Sequence, residues 1–389
     1  MRRTQHTLTA AEVQHLARQL LAPLLGTWPT VRRCTLEVVL AVLTYAAARI
    51  PSVTDACLRL IHAPDSDTIL GHLARQLVDR RVLDRRLRAV LSESLPRGLR
   101  RGRWIVAVDT TLIPYHGTHL VDPAEVFRSQ PKHGTTRFHC YATACVLRHG
   151  RRFTLALLPV DNGTAMAEVV RELRRRVVAA GVRPQLLLLD RGFNSAGVVR
   201  YLQSARQPFV MPQAIHGKAP KNGVLTGLRA IRASHPTGWT RYSWKPDGRR
   251  VGVDLCVLRR RRRDRRGHRT FLYAGWGVRR SPRAVYDLYR RRFGVETSYR
   301  QMNQVRVRTS SPNPALRLLF VAVALLLRNL WVWLHWTTLA QPRRGGRRVR
   351  LARLRLRTLL LWLLHLAELR FTTLDHTLAD HPPEQPLAA

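Results

Sequence analysis

Apolar residues in the first hundred positions return every three or four residues, the spacing of one helix face. The pattern predicts helices over Ala10–Leu25, Thr35–Arg49, Ser52–His62, Asp67–Leu77 and Val78–Leu91, separated by short Pro or Gly breaks. Ser52 and Thr54, then Ser66 and Asp67, stand where helix caps belong, so the third and fourth helices resemble a helix-turn-helix pair. Such pairs also occur in bundles that only pack or dimerise, and residues 1–100 are read as a helical DNA-binding or dimerisation domain. The basic stretch Pro96–Arg103 marks its boundary.

From Trp104 the period changes. Trp104–Ile113 is a β-branched run and predicts a strand, with Asp109 and two threonines in its second half. A polar loop is expected over Pro114–Arg137, with Lys132 and His133 within it. Strands Phe138–Leu147 and Arg152–Val160 follow, joined by the turn 148–151 as a hairpin. A helix over Thr164–Ala180 ends at Gly181. Gln185–Leu189 is then apolar enough for a strand buried on both faces, and Asp190 closes it. A helix over Ser195–Arg206 and a fifth strand, Pro208–Gln213, complete residues 101–213. If the first and fourth strands are parallel neighbours, Asp109 and Asp190 meet at the carboxyl edge of the sheet, where α/β folds build their sites.

Residues 214–280 read as a β-rich insertion with strand-like runs at Trp239–Trp244, Arg249–Arg260 and Arg269–Trp276. A turn at Lys245–Gly248 and a cationic loop over Arg259–Arg269 connect them. Aromatics interleaved with arginine suit a surface that tracks phosphates and stacks a base, and they equally suit a small internal core. Ser281 and Pro282 then start a helix, expected to run unbroken to Arg306 with Tyr289, Arg292, Glu296 and Asn303 on one face. Arg292 and Glu296 alone could be an ordinary surface i,i+4 pair. Leu316–Leu339 is strongly apolar, but Arg317, Arg328 and His335 interrupt it, and a buried core helix is expected rather than a membrane span. Residues 281–341 complete the catalytic unit. Residues 342–389 form a basic helical tail suited to DNA contact or dimerisation, with no element expected beyond Phe371.

Charge sharpens this picture. The 389 residues carry 67 Lys and Arg against 24 Asp and Glu, a net charge of +43, which self-repels unless a polyanion neutralises it. Nucleic acid is the expected partner. The five cysteines, Cys34, Cys57, Cys140, Cys145 and Cys256, are scattered, which supports neither a disulfide framework nor a zinc knuckle. The N-terminus has no long apolar core of a signal peptide.

Two acids at strand ends and a third on a following helix, Asp109, Asp190 and Glu296, are the hard oxygen donors of a two-metal phosphoryl-transfer site, with ions about 4 Å apart. Together with Tyr289, Arg292 and Glu296 spaced as Tyr-x2-Arg-x3-Glu, Asp190-Arg191-Gly192-Phe193 and Asp109-Thr110-Thr111, the chain resembles the DDE transposases of bacterial insertion sequences whose signature is Tyr-x2-Arg-x3-Glu-x6-Lys. Asn303 stands where that signature has Lys. The resemblance spans roughly residues 100–340. It implies an α/β, RNase H-like (retroviral integrase-like) core with a mixed five-stranded sheet flanked by helices. It implies cut-and-paste DNA transposition, with Asp109, Asp190 and Glu296 holding two Mg2+ ions and Mn2+ able to substitute. Double-stranded DNA (inverted-repeat ends and target) and a homodimer on DNA are the implied partners, with no membrane, in a bacterial cytoplasm at the nucleoid. Tyr289 and Arg292 would contact phosphates, Arg300, Arg306 or Arg308 would stand in for the absent Lys, and Trp239, Trp244 or Trp276 would receive a flipped base. An RNase H-fold nuclease without strand transfer and a domesticated, non-catalytic DNA-binding protein remain as alternatives.

Overall fold

Strand β1 (Arg103–Pro114) is apolar over its middle because both of its edges are paired and both faces are covered. A computed structural model of the chain describes residues 7–373, apart from 30–31, 50–51, 78, 118–121, 149–151, 220–222, 262–266 and 345. On one side of β1 lies β3 (Thr135–Val146), antiparallel, which pairs in turn with β2 (Phe127–Lys132) and β4 (Thr154–Val160). On the other side β5 (Arg183–Leu189) runs parallel to β1, and β6 (Phe209–Pro212) runs parallel to β5. The expected parallel neighbours are therefore β1 and β5. Their register, Val108 opposite Leu189, sets Asp109 level with Asp190.

The loop expected over Pro114–Arg137 contains β2, a short edge strand mostly exposed on both faces, whose sequence carries no apolar alternation. Lys132 ends that strand rather than lying in a loop, and is exposed. The turn at 149–151, the middle of the cationic loop (262–266) and the tail beyond residue 373 lie outside the described residues.

The three strands of the insertion form as expected: β7 (Gly238–Trp244), β8 (Val251–Arg261) and β9 (His268–Trp276). They do not form a separate sheet. β9 pairs antiparallel with β6, so the insertion extends the central sheet and covers what would be the exposed edge of β6.

Helices cover both faces. α7 (Met166–Ala179) and α8 (Ala196–Ser204, capped by Ser195) are the crossovers after β4 and β5. α9 (Gly227–Ser234), not anticipated, packs Leu228 and Ile231 onto Leu255, Val257 and Leu272 of the insertion. The opening helices are α1 (Ala10–Leu25), α2 (Leu36–Arg49), α3 (Val53–Arg59), α4 (Ser66–Gln76) and α5 (Arg80–Glu93), with a single turn, α6 (Arg97–Arg100), leading into β1. Ser52 caps α3 in a capping box with Asp55. The cap of α4 is Asp65, one residue before the expected pair, because its carboxylate reaches the Thr68 amide at 2.7 Å.

The apolar segment near the C-terminus is α12 (Pro314–Thr337), long and apolar enough to cross a membrane but wholly buried in the fold over that stretch. The final helix, α13 (Leu356–Phe371), returns to the N-terminal helices. Arg357 donates to the Ala48 carbonyl at 3.0 Å, and Leu359, Leu360 and Leu363 are buried.

The helical region is tied to the sheet by Arg176. Its buried guanidinium bonds both oxygens of Asp84 on α5 at 2.7 and 2.6 Å, Glu172 at 2.7 Å and the Leu157 carbonyl of β4 at 2.6 Å. Hydrogen bonds from Arg175 foremost, outweighing burial, with Arg176 adding, hold the Glu172 carboxyl down at about 2. A depressed carboxyl stabilises the fold above its unfolded pKa and ceases to as pH falls through its folded value. The wild-type unfolding midpoint is therefore expected to drop faster than that of Glu172→Gln between pH 4.5 and about 2; parallel curves would remove this network from the acid response.

Candidate active site

The site lies where β1, β5 and the segment after β9 meet. That segment starts as predicted: Ser281 accepts from the Ala284 amide, Pro282 takes the first helical position, and α10 runs Pro282–Arg290. It does not continue unbroken. A 3-10 turn, Arg291–Phe293, tightens the chain before α11 (Gly294–Asn303). No proline signals the break, and a mid-helix 3-10 turn commonly marks a functional site. Gly294 follows, and the Arg152 guanidinium, the movable end of a long side chain, packs against it where a Cβ would stand.

The turn drives Arg292 inward, leaving it only 5% exposed. Its Nη1 lies 2.7 Å from Asp109 Oδ2, and its Nη2 lies 3.1 Å from Asp190 Oδ1 and 3.8 Å from Glu296 Oε1. One guanidinium thus faces Asp190 at the end of β5, the helix acid of α11 and Asp109, which does not end its strand as expected but lies inside β1, whose pairing with β3 continues to Pro114. The Arg292–Glu296 pair is not a surface pair, because its cation is buried and shared. Arg292 Nε is itself buried without a hydrogen-bond partner.

The three acids differ in environment. Asp109 is 7% exposed, and its Oδ1 accepts from the Thr110 amide at 2.9 Å. Burial pushes its carboxyl up to about 6; Arg292 opposes this and the charge of Asp190 adds to it. The side chains of Asp190 and Glu296 are 42% and 43% exposed, so the site opens to solvent on their side. Gly192, two residues after Asp190, is exposed, has no left-handed backbone and would meet nothing within 4 Å of an added Cβ. Nothing inside the chain requires glycine there, and its lack of a side chain leaves room beside Asp190.

Tyr289 is buried. Its hydroxyl donates to the Leu189 carbonyl at 3.2 Å, pinning the end of β5 just before Asp190, and Arg292 lies over its ring. Two residues to which sequence reasoning gave no place in the site also shape it. Tyr299, one turn beyond Glu296, shares a hydrogen bond of 2.7 Å with Thr143, the residue opposite Asp109 on β3. Its i+3 spacing from Glu296 was the available signal. Arg328, inside α12, bonds the Arg152 carbonyl at 2.7 Å, Ser298 at 2.8 Å and Gln301 at 3.3 Å, and so fixes α11 against the core helix.

Other expected site residues lie farther out. Arg300 and Asn303 are exposed at the end of α11. The three tryptophans are all half-buried. Trp239 donates to the Arg280 carbonyl at 2.7 Å and packs on the cluster that contains Tyr273 and Tyr289, whereas Trp244 stacks on Tyr242 and Trp276 packs on the main core.

Three carboxylates are the donor set of a hard divalent cation. Their present spacing is that of a guanidinium cage, and among the described residues no group of three or more Asp, Glu, His or Cys is arranged to hold a metal ion.

Residues 100–330 match the family described as Transposase DDE domain. Among solved structures, the chain is similar to a piggyBac transposase synaptic complex with hairpin DNA, with a TM-score of 0.54 and 13% identity over 99% of this chain and 88% of that one. At that identity the likeness concerns the fold. No curated protein matches the chain.

Proposed function

The chain belongs to the transposases with a DDE domain, and from that premise we propose that it cuts and rejoins DNA with Asp109, Asp190 and Glu296 as its catalytic acids. The observation that supports this most is their convergence on Arg292 from β1, β5 and α11. Only Glu296 is near Arg292 in sequence; Asp109 and Asp190 reach it through the fold, and gathering charges in a partly buried site costs desolvation.

The proposed reaction is cut-and-paste transposition of an insertion sequence. A water oxygen attacks phosphorus at the element's end, the bond from phosphorus to the 3′-oxygen breaks, and the released 3′-hydroxyl attacks a phosphodiester of target DNA, expelling another 3′-oxygen. Asp109, Asp190 and Glu296 are the residues that would hold Mg2+ or Mn2+, which supplies Lewis-acid activation when bound. The chain's own residues do the rest. β1 and β5 hold two acids level, Tyr289 positions the end of β5, and Gly192 leaves space for a nucleic-acid backbone to come close. Arg292 balances the negative charge that the acids concentrate, and is the group proposed to turn to a phosphate when DNA arrives. Trp239, packed against the Tyr289 cluster, is the tryptophan best placed to take an unstacked base. A homodimer that pairs two element ends fits this chemistry, and the piggyBac neighbour is a synaptic complex with hairpin DNA.

The deciding experiment incubates the full-length protein with an end-bearing DNA fragment and a supercoiled target plasmid, with and without Mg2+. Covalent joining of the fragment to the plasmid is expected only with the metal. Cutting without joining would instead favour a nuclease, and neither product would retire the enzyme reading.

A further inference from the structure

Three arginines withdrawn from solvent pair with acids: half-buried Arg80 with Asp161 and Glu125, buried Arg176 with Asp84 and Glu172, and buried Arg292 with the catalytic trio. Arg328 instead has neutral acceptors on its guanidinium. A further pair, the half-buried Arg306 and the buried Arg317, also has no acid partner among the described residues. Arg306 follows α11, and Arg317 stands in the first turn of α12, where the helix dipole is already positive. Arg317 is 8% exposed, bonds the Ser311 carbonyl at 2.6 Å and lies over the Tyr115 ring at 4.8 Å. Among the described residues, no carboxylate is among the charges acting on Arg306 or Arg317; each feels Tyr141, and Arg306 also feels the repulsion of Arg317 and Arg308.

Arg306, Arg317 and His139 line a small cavity of about 10 Å3 between Ile113 and Tyr141. That is room for about one oxygen-sized group. His139, 6% exposed, leaves its Nε2 without a hydrogen-bond partner, and Arg306 leaves its Nε likewise. A buried and a half-buried cation beside each other, with Arg306 Nε and His139 Nε2 unspent, cost free energy that no carboxylate among the described residues offsets. An anion from outside would return it.

We propose that Arg306, Arg317 and His139 form a phosphate subsite that seats an anionic oxygen of a DNA backbone phosphodiester. The assignment rests on the DNA-processing reading above and adds to it a second point of backbone contact. Ile113 is four residues beyond Asp109 on the same face of β1, roughly 13 Å along the strand. That is about four base steps of a duplex from the carboxylates. The subsite also supplies a cation beyond α11, where exposed Asn303 offers none.

The test uses the full-length protein without metal, so that binding is read apart from cleavage. Affinity for a fluorescently labelled duplex is measured across a salt series for wild type, Arg306→Gln and Arg317→Gln, and unfolding midpoints are measured in inorganic phosphate and in chloride at equal ionic strength. Each variant is expected to lower the slope of log affinity against log salt by about 0.9. Arg306→Gln is expected to lose any stabilisation by phosphate while its midpoint in chloride stays level or rises, since an unpaired cation has been removed. A lower midpoint in chloride with an unchanged salt slope would make these arginines structural and overturn the proposal. A lost phosphate response with an unchanged slope would also overturn it, by assigning the site to free phosphate. Should Arg317→Gln not fold, Arg306→Gln alone decides. A reduced slope in a protein that never cuts DNA would retire the transposase reading and leave the subsite standing.

Discussion

Asp109→Asn, Asp190→Asn and Glu296→Gln are each expected to lower strand cleavage at least about a thousandfold, equivalent to roughly 4 kcal/mol of transition-state stabilisation, while DNA binding persists. The amides keep the size of the acids and remove only the anionic donor. Persistence of binding follows from the source of affinity, since a net charge of +43 engages phosphates over a wide surface. The Asp109 variant has a second signature. Its carboxyl is raised from the usual 3.8 to about 6 by burial, so the folded state holds its proton more tightly than the unfolded chain does. The sign is opposite to that of Glu172: stability is present below pH 4 and is lost as pH rises toward 6. The loss amounts to at most about 3 kcal/mol. In metal-free buffer Asp109→Asn should therefore match or exceed wild-type stability at pH 7 and should lack this fall. Wild-type cleavage by all three variants would sink the assignment of the acids. A wild-type pH curve in Asp109→Asn would sink the account of its burial.

The second large effect is expected at Arg292. Arg292→Met removes the one cation that, among the described residues, lies within 4 Å of all three carboxylates, and leaves Asp109 buried and uncompensated. Breaking a buried pair in this way costs about 3–5 kcal/mol at pH 7. Two conditions should restore much of it: acidification toward pH 5, where Asp109 takes a proton, and millimolar Mg2+ or Mn2+, which binds the freed acids in the folded state alone. Wild type should gain less from the metals, because its guanidinium already stands among the acids. Arg292→Lys keeps the charge but presents a single ammonium where a planar fork reaches three partners, so an intermediate loss is expected. Thermal midpoints with and without metal read all of this. A Met variant as stable as wild type and no more responsive to divalent cations would show that Arg292 does not hold the site together.

Much of the catalytic scaffold could be read before folding was considered. The switch from helical to strand period at Trp104 and the apolar run before Asp190 are local properties of the chain. So are the cap and proline at Ser281 and Pro282, and each reappears in β1, β5 and α10 within a few residues. Asp190 was legible because it ends such a run, whereas Asp109 lies inside β1, whose paired length runs on to Pro114. β2 was missed because an exposed edge strand needs no apolar alternation. The turn at Arg291–Phe293 was missed because no proline or other breaker residue within it marks the change. The role of Arg328, read from sequence as an interruption of an apolar helix, depends on Ser298 and Arg152 from other elements.

The sequence by itself thus determined most of the helices and strands, several of the residues that cap them, and that the molecule needs a polyanion. Those follow from side-chain periodicity, caps and net charge, which act within a few residues or over the whole chain at once. Only the tertiary structure decided that the insertion joins the central sheet through β6 and β9, that one guanidinium stands among Asp109, Asp190 and Glu296, and that Arg306 and Arg317 are left without an acid. Those depend on desolvation and on which charges meet in space, and neither exists until the chain has folded.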